Sequence, residues 1–242
     1  MIKIDKIDTY GWEAAIRGMR NPMNSWKKSD SLFNGNRTVT IGKTKYCATE
    51  LGLQIIGPND LDLMQRLFKA GIEHRKYLRM IHVSMDILAP LYWWKEFDTY
   101  KVGTVANSCS TMHKIAAKPF EIGDFSVEHL DDDDYEFFKE LVQRLESNRQ
   151  LYNVCKDDDP MKKDFWWDMI QSLPTSYNQK RTVDMDYEVI FNIIRQRKGH
   201  KLDEWNRFVD ILSDLPYVKE ISGDAYGPLY KFLTKDKDKN ET

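Results

Sequence analysis

Residues 77–97 read YLRMIHVSMDILAPLYWWKEF. Ile81, Val83, Met85 and Ile87 alternate with His82, Ser84 and Asp86, the two-residue period of a strand with one buried face. Ala89-Pro90 breaks that period, and Leu91-Tyr92-Trp93-Trp94-Lys95-Glu96-Phe97 suits a helix whose proline occupies the first turn. This segment is the most apolar in the chain.

Working outward, Gly57-Pro58-Asn59-Asp60 opens a helix with an apolar stripe of Leu61, Met64, Leu67 and Phe68, closed by Gly71. Residues 34–57 place glycines at 35, 42, 52 and 57 around Thr38-Val39-Thr40-Ile41, which predicts a hairpin. Trp12–Met19 predicts a short helix ended by Asn21-Pro22, and isoleucines at 2, 4 and 7 predict an opening strand. Toward the C-terminus, Val102–Met112 is polar and reads as a loop. Helical spacing then predicts helices over 127–150, 161–172, 183–198 and 202–213. Asp131–Asp134 and Asp157–Asp159 read as solvated helix-start and loop acids. The expected fold class is α/β of the α+β kind. It is expected as one domain over residues 1–230, with a charged, disordered tail at 231–242.

Composition narrows the function. Thirty-six basic against thirty-eight acidic side chains leave a formal charge of -2, which argues against duplex nucleic acid as a partner. No apolar run approaches the roughly 18 residues of a membrane span. The opening MIKIDKIDTY has no apolar signal-peptide region. Cys47, Cys109 and Cys155 are odd in number and lack CxxC spacing, so neither a disulfide framework nor structural zinc is expected, and the reading is cytoplasmic.

Familiar chemistry is scarce. The histidines at 74, 82, 113, 129 and 200 show no metal-ligand spacing, so no metal is expected. No G-x-S-x-G, P-loop or GxGxxG occurs, and Cys109 lies in a polar stretch without a visible base. Two places remain. Tyr92-Trp93-Trp94 is either core or a surface on which a base or an isoalloxazine stacks. Ile194–Lys201 (IRQRKGHK) is either favourable pairing with a helix dipole or an anion site. Arg195 follows Phe191 by four residues, on the buried side of the apolar stripe, and a guanidinium drawn toward a core needs an anionic or hydrogen-bonding partner.

In chain order these pieces resemble the flavin-dependent thymidylate synthase family. Gly71, Glu73-His74, the strand to Ile87 and the helix Tyr92–Phe97 follow the family order. Asn107-Ser108-Cys109-Ser110-Thr111-Met112-His113 is similar to its N-x-x-S loop. Leu173-Pro174, Thr182–Asp186, Phe191–Arg195 and His200–Trp205 are similar to its L-P, T-V-N-x-R, F-x-x-x-R and His/Ala-Gln-x-E-I steps. The ordered set covers most of residues 1–210.

The resemblance implies reductive methylation of dUMP to dTMP, with methylenetetrahydrofolate as methylene donor, FAD as hydride carrier and NADPH as reductant. It implies a catalytic Arg195 stabilising charge on the pyrimidine, substrate contacts from Ser110, Glu73 and Tyr92, and cofactor contacts from His74, Lys95, Trp93, Asn107 and His200. It also implies a homotetramer, and a fold with a central, mostly antiparallel sheet flanked by helices. The departures are Lys95-Glu96-Phe97 in place of the R-H-R that meets flavin and phosphate, Met112 in place of the loop arginine, and Asp186 in place of the arginine of T-V-N-x-R. They define the alternative, a catalytically lapsed nucleotide-binding or regulatory protein on the same scaffold.

Overall fold

The structure is a computed structural model that describes residues 2–33, 38–41, 44–47 and 55–223 of the 242-residue chain. The tail expected at 231–242, the glycines at 35, 42 and 52, and the Cys47 side chain lie outside the described residues. In chain order the elements are β1 (Lys3–Tyr10), α1 (Trp12–Arg20), β2 (Thr38–Ile41), β3 (Thr44–Cys47), α2 (Pro58–Ala70), β4 (His82–Pro90), α3 (Leu91–Phe97) and β5 (Thr104–Ser108). They continue with α4 (Thr111–Lys114), α5 (Asp132–Val154), α6 (Pro160–Ser172), β6 (Asn178–Asp186), α7 (Tyr187–Arg197), α8 (Asp203–Ser213) and α9 (Val218–Ser222).

Four strands form an antiparallel sheet in the order β1-β4-β6-β5, flanked by helices. A separate antiparallel pair, β2 and β3, aligns Thr38 with Cys47 and Ile41 with Thr44, the hairpin that glycine and β-branched residues predict. β4 keeps the alternation that its sequence announces: Val83, Met85 and Ile87 are buried, while His82, Ser84 and Asp86 are only partly so. Pro90 caps α3 in extended conformation and so stands just ahead of the first turn.

Two predictions along the chain are corrected. Residues 102–112 are not simply a loop, since Thr104–Ser108 is the edge strand β5 and Thr111–Lys114 the short helix α4. β5 is exposed over nearly all its length, with Val105 at 71% exposure, so it carries no buried face and no alternation to read. The helix expected at 183–198 begins only at Tyr187; Asn178–Asp186 is β6, in which Gln179, Val183 and Met185 are buried. Asp186 makes the junction, its carboxylate accepting from Val189 N at 2.9 Å as an N-cap. Asp131 and Asp159 cap α5 and α6 in the same way, which accounts for part of each acidic run.

The chain divides into two compact units, Met1–Ile7, Ser84–Asp184 and His200–Arg207 in one, and Asp8–Val83, Met185–Gly199 and Phe208–Thr242 in the other. In the first unit Trp93, Trp94, Phe97 and Trp205 are all buried, with Trp93 and Trp205 centroids 4.7 Å apart. A second cluster there joins Ile115, Phe120, Phe125, Val142, Leu145 and Met169 where α5 and α6 pack. In the second unit Trp12 packs edge-on against Tyr187 and Tyr217. α1 starts there from Gly11, whose φ of +87° belongs to the left-handed region, and a Cβ at that position would lie 2.0 Å from the Met80 carbonyl oxygen.

Candidate functional site

In the second unit, a cavity of about 280 Å³ is lined by Phe68, Ile72, Arg75, Phe191, Asn192 and Arg195. α2 and α7 supply the rings, 4.6 Å apart between centroids, because Phe68 and Phe191 each sit on the apolar stripe of their helix. Arg75 lies over Phe68 at 5.0 Å and donates through Nη2 to Glu188 Oε1 at 2.7 Å. Its side chain is 16% exposed and that of Glu188 12%, so this pair is mostly desolvated.

Arg195 is not drawn to the core, as its spacing from Phe191 suggests; it is exposed at the cavity rim. Position four beyond a core residue still lies about 40° round a 3.6-residue helix, and in the last turn of α7 that is enough to reach solvent. It makes a long bond, 3.4 Å from Nη2 to Asn192 Oδ1. The exposed guanidinium is thus held loosely. Glu73 and His74, also in this unit, are exposed in the turn after Gly71, where His74 N donates to the Gly71 carbonyl.

The remaining candidates belong to the first unit. Trp93 is fully buried and packs on Trp94, Phe97 and Trp205. Trp94 is buried too and donates through Nε1 to the Gln179 carbonyl at 2.9 Å. The doubled tryptophan is core at both positions. Tyr92 is half-buried and donates to Glu204 Oε1 at 2.5 Å, while desolvation and that carboxylate push its phenol pKa well up. Glu96 Oε2 accepts from Trp205 Nε1 at 2.9 Å and lies 3.5 Å from His200 Nε2. Tyr92, Trp93 and His200 are therefore brought together around Trp205.

Lys95, Asn107 and Ser110 are exposed and lie outside that cluster. Ser110 caps α4, its hydroxyl accepting from His113 N at 3.1 Å. The neighbouring loop is pinned by Gln179 Nε2, which donates to the Cys109 carbonyl at 2.8 Å, and by Trp166 Nε1, which donates to the Met112 carbonyl. Arg181 stacks 4.2 Å over Trp94 and pairs with Asp98 at 2.7 Å. Among the described residues no group of three or more potential ligands could hold a metal ion.

Sequence reasoning missed Arg75 and Glu188, although Arg75 directly follows the Glu73-His74 pair. Their partnership spans 113 positions, so nothing local reports it. The sequence places Glu204 only within the His200–Trp205 turn, because its bond to Tyr92 spans 112 positions.

A scan of protein-family models and a search of curated proteins find no match to this chain. Solved structures do match. The fold is that of the flavin-dependent thymidylate synthases. Thymidylate synthase X from Helicobacter pylori, solved with FAD and dUMP, superposes with a TM-score of 0.58 at 17% identity, covering 96% of this chain and 99% of that one. PolB from Streptomyces cacaoi, a UMP/dUMP methylase bound with 5-Br dUMP, gives a TM-score of 0.55 at 11% identity, covering 94% of this chain and 96% of that one. Among the described residues no helix is long and apolar enough to cross a membrane.

Proposed function

We propose that this chain binds a pyrimidine nucleotide on the thymidylate-synthase-like scaffold, at the cavity rimmed by Arg195. The observation that carries the reading is an exposed, loosely held guanidinium at the mouth of a cavity walled by Phe68 and Phe191. At about 280 Å³ the cavity lies near the lower end of ligand pockets, the size for a base rather than a dinucleotide. Rings supply apolar contact, and the planar fork of Arg195 supplies paired donors for the carbonyl oxygens of a pyrimidine. Structural neighbours that hold dUMP or 5-Br dUMP lend support by analogy of fold.

The residues present do not fit a flavin diphosphate in the family manner. Where the family has R-H-R, Phe97 is buried, Glu96 presents a carboxylate already bonded to Trp205, and only Lys95 is exposed. A carboxylate beside a diphosphate is repelled by it. Trp93 and Trp94 have no exposed ring face on which an isoalloxazine could stack. The proposed function therefore requires no flavin. It follows the alternative that the departures define, a binding or regulatory protein in which the family's redox chemistry has lapsed. A second reading, methylation of dUMP with FAD, methylenetetrahydrofolate and NADPH in a homotetramer, is favoured by the ordered motifs over residues 1–210, in which Arg195 stands at the pyrimidine arginine.

Calorimetric titration and thermal unfolding of the purified chain with dUMP, dTMP and UMP test the proposal, alongside an absorption spectrum with added FAD. At a nucleotide concentration of ~100 times Kd, stabilisation of about 2.7 kcal/mol is expected, reduced by about half or more in Arg195→Ala, with a colourless protein. No stabilisation by any of the three nucleotides overturns the proposal. A yellow protein that converts dUMP to dTMP establishes the second reading instead.

A further inference from the structure

His200 stands just ahead of α8, and its two ring nitrogens meet different partners. Nδ1 accepts from the Leu202 backbone N–H at 3.2 Å. Leu202 precedes Asp203, where α8 begins, so its N–H is one of the donors that a helix start leaves without an intrahelical acceptor. Nε2 lies 3.5 Å from Glu96 Oε2 on α3, the same oxygen that accepts from Trp205 Nε1 at 2.9 Å. Asn206 Nδ2 donates to the His200 carbonyl at 2.8 Å and holds the backbone of the turn. The ring therefore sits between an amide that needs an acceptor and a carboxylate that favours a donor.

An imidazole nitrogen that accepts a hydrogen bond carries no proton, so the neutral ring is held with its hydrogen on Nε2, on the side of Glu96. Protonation puts a second N–H on Nδ1, opposite the Leu202 N–H, and the bond becomes a contact between two donors. The same proton places a full charge beside Glu96. That attraction is modest, since the two side chains are 24% and 36% exposed, but it is favourable. Charging the ring thus pushes it off Leu202 and draws it toward Glu96, in competition with the Trp205 indole for Oε2.

The other titratable and charged groups around this turn do not set up the same conflict. His129 Nε2 lies 3.4 Å from Asp203 Oδ2, both largely exposed, and protonation only strengthens that pair. Glu204 accepts from the Tyr92 hydroxyl. Glu128 precedes His129, and Lys198 and Lys201 flank His200 in the chain, all at constant charge over the range in which an imidazole titrates.

We infer that His200 is a pH-sensitive latch on the start of α8: neutral, it holds the Leu202 amide; protonated, it releases that amide and pairs with Glu96. The helix start it holds carries Glu204 and Trp205, whose bonds to Tyr92 and Glu96 tie α8 to α3. The latch works between about pH 8 and 5, where imidazole takes up its proton.

NMR of the full chain tests this. At pH ~8 the His200 nitrogen shifts are expected to report the Nε2–H tautomer. Through the His200 titration the protection factor of the Leu202 amide is expected to fall about fivefold or more, and the Trp205 indole N–H resonance to move with the same midpoint. His200→Asn supplies an oxygen that accepts from the amide two residues on and does not titrate, so Leu202 protection should then stay within about twofold across the range. His129→Gln removes the neighbouring imidazole and should leave the dependence as it is. An Nδ1–H tautomer at pH ~8, Leu202 protection that ignores the titration, undiminished pH dependence in His200→Asn, or loss of it in His129→Gln each overturns the inference. The tautomer is read on the unaltered chain, so the inference stands or falls even if neither variant folds.

Discussion

The surroundings of Trp205 and the rim of α7 both carry residues that the family resemblance marks for ligands, yet they use them in opposite ways. Around Trp205 the rings are buried, and the polar groups bond one another: Tyr92 to Glu204, and Trp205 Nε1 to Glu96. At the α7 rim Arg195 is exposed and its one bond is long. In the first case the helix is core, and in the second a cation lies exposed at a cavity mouth. Motif position alone does not separate these outcomes; burial and partners do.

The sharpest way to break the comparison is Trp205→Ala. If the cluster is core, removing this fully buried ring should cost about 3–5 kcal/mol, read from urea or thermal unfolding. Nucleotide affinity measured on the folded fraction should be unaffected. A loss below about 1 kcal/mol would mean that the cluster is not structural. Next in size is Tyr92→Phe, which deprives the buried Glu204 carboxylate of its donor and should cost about 1–3 kcal/mol.

Acid unfolding supplies a third probe within the first unit. Arg149 holds the Glu146 carboxyl down, with further bonds from Phe120 N and Gln150, so that its pKa falls from 4.5 to about 2. A depressed acid contributes stability above its unfolded pKa and loses it as pH falls through the folded value. The stability difference between the chain and Glu146→Gln should therefore be full above pH ~5 and fade between ~4.5 and ~2. Its size should be about 1–2 kcal/mol, since the pair is partly exposed. A difference that does not change with pH would refute the ion pair. The smallest stability effect is expected at the α7 rim, where Arg195→Ala should stay within about 0.5 kcal/mol while nucleotide affinity falls tenfold or more. Equal effects on stability and binding would erase the contrast between the two regions.

The sequence is legible where one face of an element is buried. α1, α2 and α8 follow their apolar periods to within a residue or two, whereas β4 starts as its period predicts but runs three residues past Ile87, through Pro90. β5 escaped because it is exposed on nearly all sides, so a polar stretch and an edge strand look alike. The start of α7 escaped because Val183 continues the helical spacing of Tyr187, Ile190 and Ile194, while it also alternates with Met185 as in a strand. The signal that separates them was present in Asp186, three residues before Val189, as a capping acid. For the candidate site, the spacing of Arg195 from Phe191 predicts a side chain turned toward the core, yet the structure turns it out, since a position near the edge of an apolar stripe can go either way. Arg75–Glu188 and Arg20–Asp60 join residues 113 and 40 positions apart, and only the folded chain brings them together.

Gly11 sets a limit of another kind. With its Cα facing the Met80 carbonyl oxygen, even one added carbon would occupy space that the backbone already holds, at a φ that other residues rarely adopt. In a saturation library scored for folded protein, position 11 should be a blank column, alanine included. The next position but one, Glu13, is an exposed helix residue and should accept most substitutions. A hydrogen atom is the one side chain this entrance to α1 admits, and any natural variant of the protein that keeps the turn must keep it too.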